Sequence, residues 1–458
     1  MGFISGVKKD RLSNIAKYWI ENGTPRPETR GGARKEEENA VKREAVREHI
    51  TKFTCRASHY ARRDAPGRKY LSSELNVAKM YQMFKEQDHR DISYSLYYSI
   101  FSSDFNLGFG RPSKDVCGTC LKFRIELKDP EISDQDKRRK TVMQMLHRRR
   151  GRQFYDTLNA VNDSFTVCFD IMENLVLPKS SIGQAYYSRQ LYLYVFGVVR
   201  HRGALTNQTK DDIHLFVWSE CDNKKDSNMV ASALHYYFST VARNELSEYT
   251  KLRLFSDSCY GQNKNINVLS MLFSLRKNVF SNLNIEYTFP VRGHSFLPAD
   301  RVFGRLEKDI KRQETILLPS EYINIFRRHA NVHIYGDSWE CLDFKAEAAK
   351  HCCSSRSFKI SKAKVLEING DQLGMKEGYN GEFSHFNVLK RGKNWNTFNP
   401  KQVENINFVN EAKKLDVFGL LRALGVSNDI LSFYKDTLGD DCAQHVGPQD
   451  LEDSDNEE

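Results

Sequence analysis

Three aspartates stand where a chain of this composition could do chemistry. Asp170 closes the apolar run "TVCFDI", Asp257 closes "LRLFSD", and Asp300 opens "PADRVFGRLEKD". Asp257 runs straight into "SCYGQNKN", whose small and amide side chains allow a ligand to approach closely. Carboxylates converging from rigid elements are hard oxygen ligands for Mg²⁺ or Mn²⁺, ions that keep several waters and so need few protein ligands. Two such ions about 3.5–4 Å apart activate an oxygen nucleophile and stabilise a leaving oxygen, which is what phosphodiester cleavage or strand transfer requires. The third acid is open. Asp300 and Glu307 are seven apart and share one helical face; Asp300 is the preferred ligand, with Glu307 the alternative or an outer partner. His294, in "RGHSFLPAD", could position a water or touch the scissile phosphate, and Asn263 and Asn265 could contact metal or phosphate. Taken singly, each aspartate also fits a turn, a cap or a first-turn acid. The argument rests on the three in this order.

A second group has metal-ligand spacing. Cys117 and Cys120 form a CxxC in "DVCGTC", His147 follows in a long basic segment, and Cys55 and His59 lie upstream in "CRASHY". Zinc takes four sulfur or nitrogen ligands tetrahedrally, and CxxC bends around one ion. The expected structural zinc site is Cys117, Cys120 and His147, with His59 or Cys55 fourth. Two buried thiols or a redox pair are the alternatives, although no βαβ pattern of the thioredoxin kind surrounds the motif.

The basic segment supplies a partner. "KRRK" and "HRRRGR" carry Arg138, Arg139, Lys140, Arg148, Arg149, Arg150 and Arg152 on the approach to the first apolar run. They suit phosphate contacts, with a solvated helix face as the plain alternative. The formal charge is +10, and the last 23 residues hold nine acids and no Lys or Arg, which leaves +19 on residues 1–435. Such a body favours a polyanion, here DNA, with binding that weakens steeply in salt. No signal-peptide core or membrane-length apolar run is evident, no small-molecule substrate is indicated, and the expectation is a nuclear protein that could form a homo-oligomer.

The elements that would position these residues follow from periodicity. "SFTVCFDI", "QLYLYVFGVVRH" and "DIHLFVWSE" read as three successive strands, "NMVASALHYYFSTVARNE" as an amphipathic helix, "KLRLFSD" as a fourth strand, "NKNINVLSMLFSLRKN" as a helix and "IEYTFPV" as a fifth strand. Helices are also expected in "KKDRLSNIAKYWIENG" and, from a Ser cap, in "SSELNVAKMYQMFKEQ". The chain divides on this reading into a basic flexible segment (1–50), a helical region with the CxxC and basic helix (51–162), an α/β core (163–335), a small β-containing appendage (336–435) and an acidic disordered tail (436–458). The βββαβ order resembles the ribonuclease H fold. That resemblance implies a mixed five-stranded sheet in which the first and fourth strands are neighbours, so that Asp170 and Asp257 meet.

"SHYARRDAPGRKYLSSELNVAKMY", "FNLGFGRPSKDVCGTC", "FDIMENLVLPKSS", "YYSRQLYLYVFGVV", "FSDSCYGQNKN" and "GHSFLPADRVFGRLEK" together resemble an uncharacterised domain family of animal genomes, regarded as ribonuclease H-like and transposase-derived. The resemblance spans roughly residues 50 to 395. It implies that Asp170, Asp257 and Asp300 match an acidic triad, with His294 and Glu307 in the last motif. Met172 stands where the family often has Gln, and Leu306 where Ile is usual; neither departure removes an acid. The expectation is a transposase-like, divalent-metal-dependent DNA nuclease or strand transferase. The alternative is an inactive, host-adopted nucleic-acid-binding protein, consistent with the lack of an obvious sequence-reading domain before residue 50.

Overall fold

The computed structural model describes residues 9–25, 36–53, 55–57, 68–72, 75–87, 91–109, 117–160, 162–203, 206, 208–353, 358–403 and 409–439. The chain forms two compact units, residues 1–115 and 116–458. The first contains α1 (Lys9–Asn22), α2 (Glu36–Thr51), the short strands β1 (Arg56–Ala57) and β2 (Lys69–Leu71), α3 (Val77–Gln87), α4 (Tyr94–Asp104) and β3 (Leu107–Phe109). Val46 and Ile50 of α2 pack with Met80, Phe84 and Tyr97, so structure begins well inside the segment expected to be flexible. The helix expected from a Ser cap starts at Val77 instead, where Asn76 Oδ1 accepts the Lys79 N–H at 2.8 Å.

The second unit holds both candidate sites. It opens with α5 (Gly118–Glu126) and the 26-residue α6 (Asp134–Asn159), capped by Ser133, whose Oγ accepts the Asp136 N–H. The CxxC and the basic helix therefore belong with the sheet rather than with the upstream helices. The strands follow: β4 (Phe165–Ile171), β5 (Leu175–Leu177), β6 (Leu191–Arg200), β7 (Ile213–Ser219), β8 (Lys251–Phe255), β9 (Asn284–Thr288), β10 (Asn331–Ile334), β11 (Val365–Asn369), β12 (Gln372–Lys376) and β13 (Ser384–Asn387). They build one ten-stranded mixed sheet in the order β10-β7-β6-β4-β8-β9-β11-β12-β13, with β5 beside β6. β4, β6 and β7 form an antiparallel meander. β8 then pairs parallel to β4, and β9 parallel to β8. The first and fourth long strands are thus neighbours.

The sheet is twice as wide as the expected five strands. β11–β13 extend it from β9, and β10 extends it from β7. Residues 336–435 therefore do not form a separate appendage. The physical reason is the unpaired N–H and C=O row that β9 and β7 would otherwise present; pairing it satisfies the edge. The acidic tail beyond residue 439 lies outside the described residues.

Two cores cover the two faces, as the near-continuous apolar strands require. Phe165, Val167 and Phe169 alternate toward α7 (Ser227–Tyr236) and α8 (Ile266–Asn278). Val195, Val199, Leu215 and Val217 face α9 (Pro298–Lys311), α10 (Glu411–Ala423) and α11 (Asn428–Leu438). On the α9 side, Phe154 and Leu158 of α6 also pack with Cys168, Phe255 and Leu297. Among the described residues no helix is long and apolar enough to cross a membrane.

One glycine sets how closely α9 approaches. Gly197 pairs with Asp170 across the β4–β6 ladder, and a Cβ there would lie 2.9 Å from the Phe303 ring. Gly197→Val should overpack this contact and cost about 1–3 kcal/mol, read as a lower midpoint of thermal unfolding. Adding Phe303→Leu should recover part of it; an unchanged midpoint for the single variant would refute the close approach.

Candidate metal centre and acidic site

Four side chains from three segments meet in a Cys/His cluster. Cys117 is the N-cap residue of α5, and Cys120 lies in its first turn. His147 projects from the middle of α6, and His294 from the loop between β9 and α9. Their ligand atoms all lie within 4.8 Å of one another. Cys117 Sγ is 3.2 Å from His147 Nε2, Cys120 Sγ is 3.5 Å from His294 Nε2, and the two Nε2 atoms are 3.1 Å apart. Around a tetrahedral zinc, with Zn–S near 2.3 Å and Zn–N near 2.0–2.1 Å, S···N edges are about 3.5 Å and N···N edges about 3.4 Å. These three edges match within a few tenths of an ångström, so the site can hold a metal such as zinc.

The surroundings hold the ligands in place. Gly293 has φ +78°, and a Cβ there would lie 2.9 Å from Cys117 Cα and Cβ, so only glycine fits the turn that delivers His294. A Cβ at Gly151 of α6 would meet the His294 ring at 3.1 Å. The Tyr155 hydroxyl donates to the His294 carbonyl and accepts the Phe296 N–H, both at 3.1 Å. Burial, then Arg150 and Arg148, lowers the His147 pKa, which keeps the ring neutral and able to ligate. Burial, then Cys117, raises the Cys120 pKa, while the Arg148 guanidinium opposes this through charge and a hydrogen bond.

His294 is the fourth partner, in place of the expected His59 or Cys55. It lies 147 residues from His147, so no spacing rule connects it to the CxxC. Its ring faces the cysteines, which removes it from the water-positioning role expected of it. Cys55 belongs to the other unit, where its thiol donates to the Phe53 carbonyl. His59 lies outside the described residues.

The three aspartates are arranged by strand register. Cys168 of β4 pairs with Phe255 of β8, the last pair of that ladder, and Asp170 and Asp257 each lie two residues beyond it. Asp300 is one turn before Phe303, the residue that sits on Gly197 opposite Asp170. Burial raises the Asp170 pKa well above the ordinary carboxylate value, with Asp257 and then Asp300 adding repulsion. Each acid has an oxygen held by N–H donors. The Ile171 N–H donates to Asp170 Oδ1 at 2.8 Å, and the Leu297 N–H donates to Asp300 Oδ2 at 2.6 Å. Asp257 Oδ1 accepts from Asn263 Nδ2 at 2.6 Å and from the Cys259 N–H at 3.1 Å.

A family model described as a domain of unknown function (DUF7869) matches residues 185–368. No curated protein matches the chain. The matched span contains Asp257, His294 and Asp300, while Asp170, Cys117, Cys120 and His147 precede it.

Several expected site residues take other roles. Glu307 forms an ion pair with Lys311 at 3.1 Å on the exposed side of α9, because seven residues carry it about 10 Å down the helix from Asp300. Asn263 is fully buried and orients Asp257, while among the described residues its Oδ1 has no hydrogen-bond partner. Asn265 caps α8, accepting from the Asn267 and Val268 N–H groups, both at 3.1 Å. Both asparagines thus act inside the fold rather than as direct contacts. On α6, Lys140 pairs with Glu126 and Arg139 with Asp136. Missed by sequence reasoning is Lys225, whose Nζ donates to Asn174 Oδ1 at 2.9 Å and whose charge partly offsets that of Asp170. Arg292 and Tyr260 were missed as well. With Asp257, Ser258, Cys259, Pro290, Gly293 and Ser295 they line a cleft of about 320 Å³.

Purified protein should contain about one zinc per chain by elemental analysis. Cys120→Ser and His294→Ala should each lose the metal and unfold at lower temperature, while His59→Ala keeps it. Full zinc content in His294→Ala would exclude the four-ligand assignment.

Proposed function

We propose that the chain is a divalent-metal-dependent DNA nuclease or strand transferase with a ribonuclease H-like core, of transposase type or derived from one. The observation that carries this reading is the parallel register of β4 with β8. Its last pair lies two residues before both Asp170 and Asp257, which supports their meeting, and Gly197 admits Phe303 of α9, three residues after Asp300. The strand arrangement, an antiparallel meander followed by a parallel fourth strand against the first, supports the ribonuclease H-like assignment.

The donor set suits a hard cation. Asp170 and Asp257 each hold one oxygen in short N–H bonds, and among the described residues the second oxygen of each has no hydrogen-bond partner. Mg²⁺ or Mn²⁺ bound there would supply an activated oxygen nucleophile and stabilise the leaving oxygen. The protein's part is positioning. Backbone N–H groups and Asn263 lock the carboxylate rotamers, and Lys225 offsets part of the negative charge beside Asp170. A metal held by Cys117, Cys120, His147 and His294 would fix the loop that leads to Asp300.

Supercoiled plasmid incubated with the protein and Mn²⁺ should be nicked or linearised, and Asp257→Asn should lower the rate at least about 100-fold, on the order of the effect of removing one essential electrostatic group. Equal cleavage by both proteins would sink the reading. A second reading, a host-adopted nucleic-acid-binding protein without turnover, is favoured by one observation: Asp300 spends an oxygen capping α9. DNA binding with no metal-dependent cleavage by the wild type would select it.

The acidic site also predicts a pH dependence. Folded Asp170 holds its proton to higher pH than it does in the unfolded chain, so the folded state binds more protons. Stability therefore falls as pH rises from about 4, the ordinary carboxylate value, through the raised folded value. Without added divalent cation, Asp170→Asn should be more stable than wild type at pH 7 by at least about 1 kcal/mol, since a tenfold difference in proton affinity is worth about 1.4 kcal/mol. The difference should vanish below about pH 4. Added Mn²⁺ should raise the wild-type unfolding midpoint and leave that of Asp170→Asn unchanged; the opposite pattern would remove Asp170 from the site.

A further inference from the structure

Four cations from four segments gather beside the cleft next to Asp257. Arg292 lines that cleft. Lys364 Nζ donates to the Pro290 carbonyl at 2.8 Å, two residues from Arg292. Lys264 Nζ, almost fully buried, donates to the carbonyls of Ala363 at 2.6 Å and Ser361 at 3.0 Å and lies 4.7 Å from the centre of the Phe289 ring. It thus stands directly under the segment that bears Lys364. Arg150 comes from α6, where its neighbour Gly151 is packed against the His294 ring, two residues beyond Arg292. Among the described residues none of the four forms an ion pair.

That arrangement is costly without an anion. Each cation is held near others of the same sign, and two are partly or wholly withdrawn from water. Burial, then Lys364 and Arg292, pushes the Lys264 ammonium down to about 8. Burial, then Arg292 and Arg150, lowers Lys364 as well. Buried or crowded cations are normally paired with carboxylates. Here Lys264 donates to two backbone carbonyls and Lys364 to one, and among the described residues no carboxylate offsets either charge. Arg292 and Arg150 are exposed at that edge, and a multi-donor guanidinium suits phosphate oxygens. Tyr260, 54% exposed on the cleft wall, offers an aromatic face to a base.

We infer that Arg150, Arg292 and Lys364, backed by buried Lys264, form a phosphodiester-binding track that leads a polynucleotide strand into the cleft beside Asp257. The inference rests on the reading of the aspartates as the reacting centre, for which the track supplies the strand. It also divides the basic helix by function. Arg150 is close enough for its charge to act on Lys364, Arg148 supports Cys120, and Lys140 and Arg139 hold local ion pairs.

The test is binding alone, measured by fluorescence anisotropy of a labelled 20-nucleotide single strand and its duplex. No Mg²⁺ or Mn²⁺ and no chelator are added, so that turnover is absent and the Cys/His centre keeps its metal. Salt is varied, and wild type is compared with Arg150→Gln/Arg292→Gln/Lys364→Gln. The triple variant should bind at least about 10-fold more weakly at about 0.1 M salt. Its slope of log affinity against log salt should shrink by about 2–3 for duplex, since each phosphate a cation neutralises contributes about 0.9. A charge-matched control, Lys277→Gln/Arg327→Gln/Lys345→Gln, should match wild type. Unchanged zinc content and unfolding midpoint confirm that the triple variant is folded. Tyr260→Ala should weaken the single strand more than the duplex. Equal weakening by the control set, or an unchanged slope in the track variant, overturns the inference. Intact binding with no cleavage in Mn²⁺ would instead overturn the catalytic reading and leave the track standing.

Discussion

The close packing of Gly293 on Cys117 is the constraint on which the rest of the site depends. The loop from Pro290 to Phe296 can lie against the start of α5 only because residue 293 has no side chain and takes a positive φ. Once there, the loop does three things. It turns His294 into the cysteine pair, it forms one wall of the cleft, and it sets the start of α9 and so the position of Asp300. A metal in the Cys/His cluster would lock all three at once, since structural sites of this kind contribute directly to folding.

This coupling explains why α6 is so long. A helix rises about 1.5 Å per residue, so its 26 residues can reach from α5, past the metal centre, to the sheet. Its early turns pair with Glu126 of α5, its middle carries His147 and Gly151, and Phe154 and Leu158 pack against β4 and β8 through Cys168 and Phe255. One element therefore ties the CxxC to the two strands that carry Asp170 and Asp257. The basic residues along it are not a uniform face, because each turn meets a different neighbour.

The electrostatics have the same layout. Negative charge collects where β4, β8 and α9 meet, and Asp170 bears the repulsion of that crowding. Positive charge collects beside the cleft, on Arg292, Lys364 and Lys264. Opposite fields around one opening suit a ligand that bridges cation and anion, as a metal-bound phosphodiester does.

The sequence by itself marked β4, β6, β7, β8 and β9 and the helices α6 to α9, because period-2 and period-3.6 apolar patterns depend only on neighbouring residues; β5, β10, α10 and α11 were not read from it. It also marked Asp170, Asp257 and Asp300 by their places at strand ends and a helix start, and Cys117, Cys120 and His147 by the bend of CxxC around a metal. Only the tertiary structure decided which partners complete those sets. His294 joined the cysteines from 174 residues past Cys120, Glu307 was turned away to Lys311, and Asn263 became a support for Asp257. It also decided that the C-terminal strands extend the main sheet rather than forming an appendage. Those outcomes depend on which segments share an edge, and that is set by long-range strand pairing, by a glycine that admits Phe303 and by another that admits Cys117. No local pattern in the chain encodes such distances.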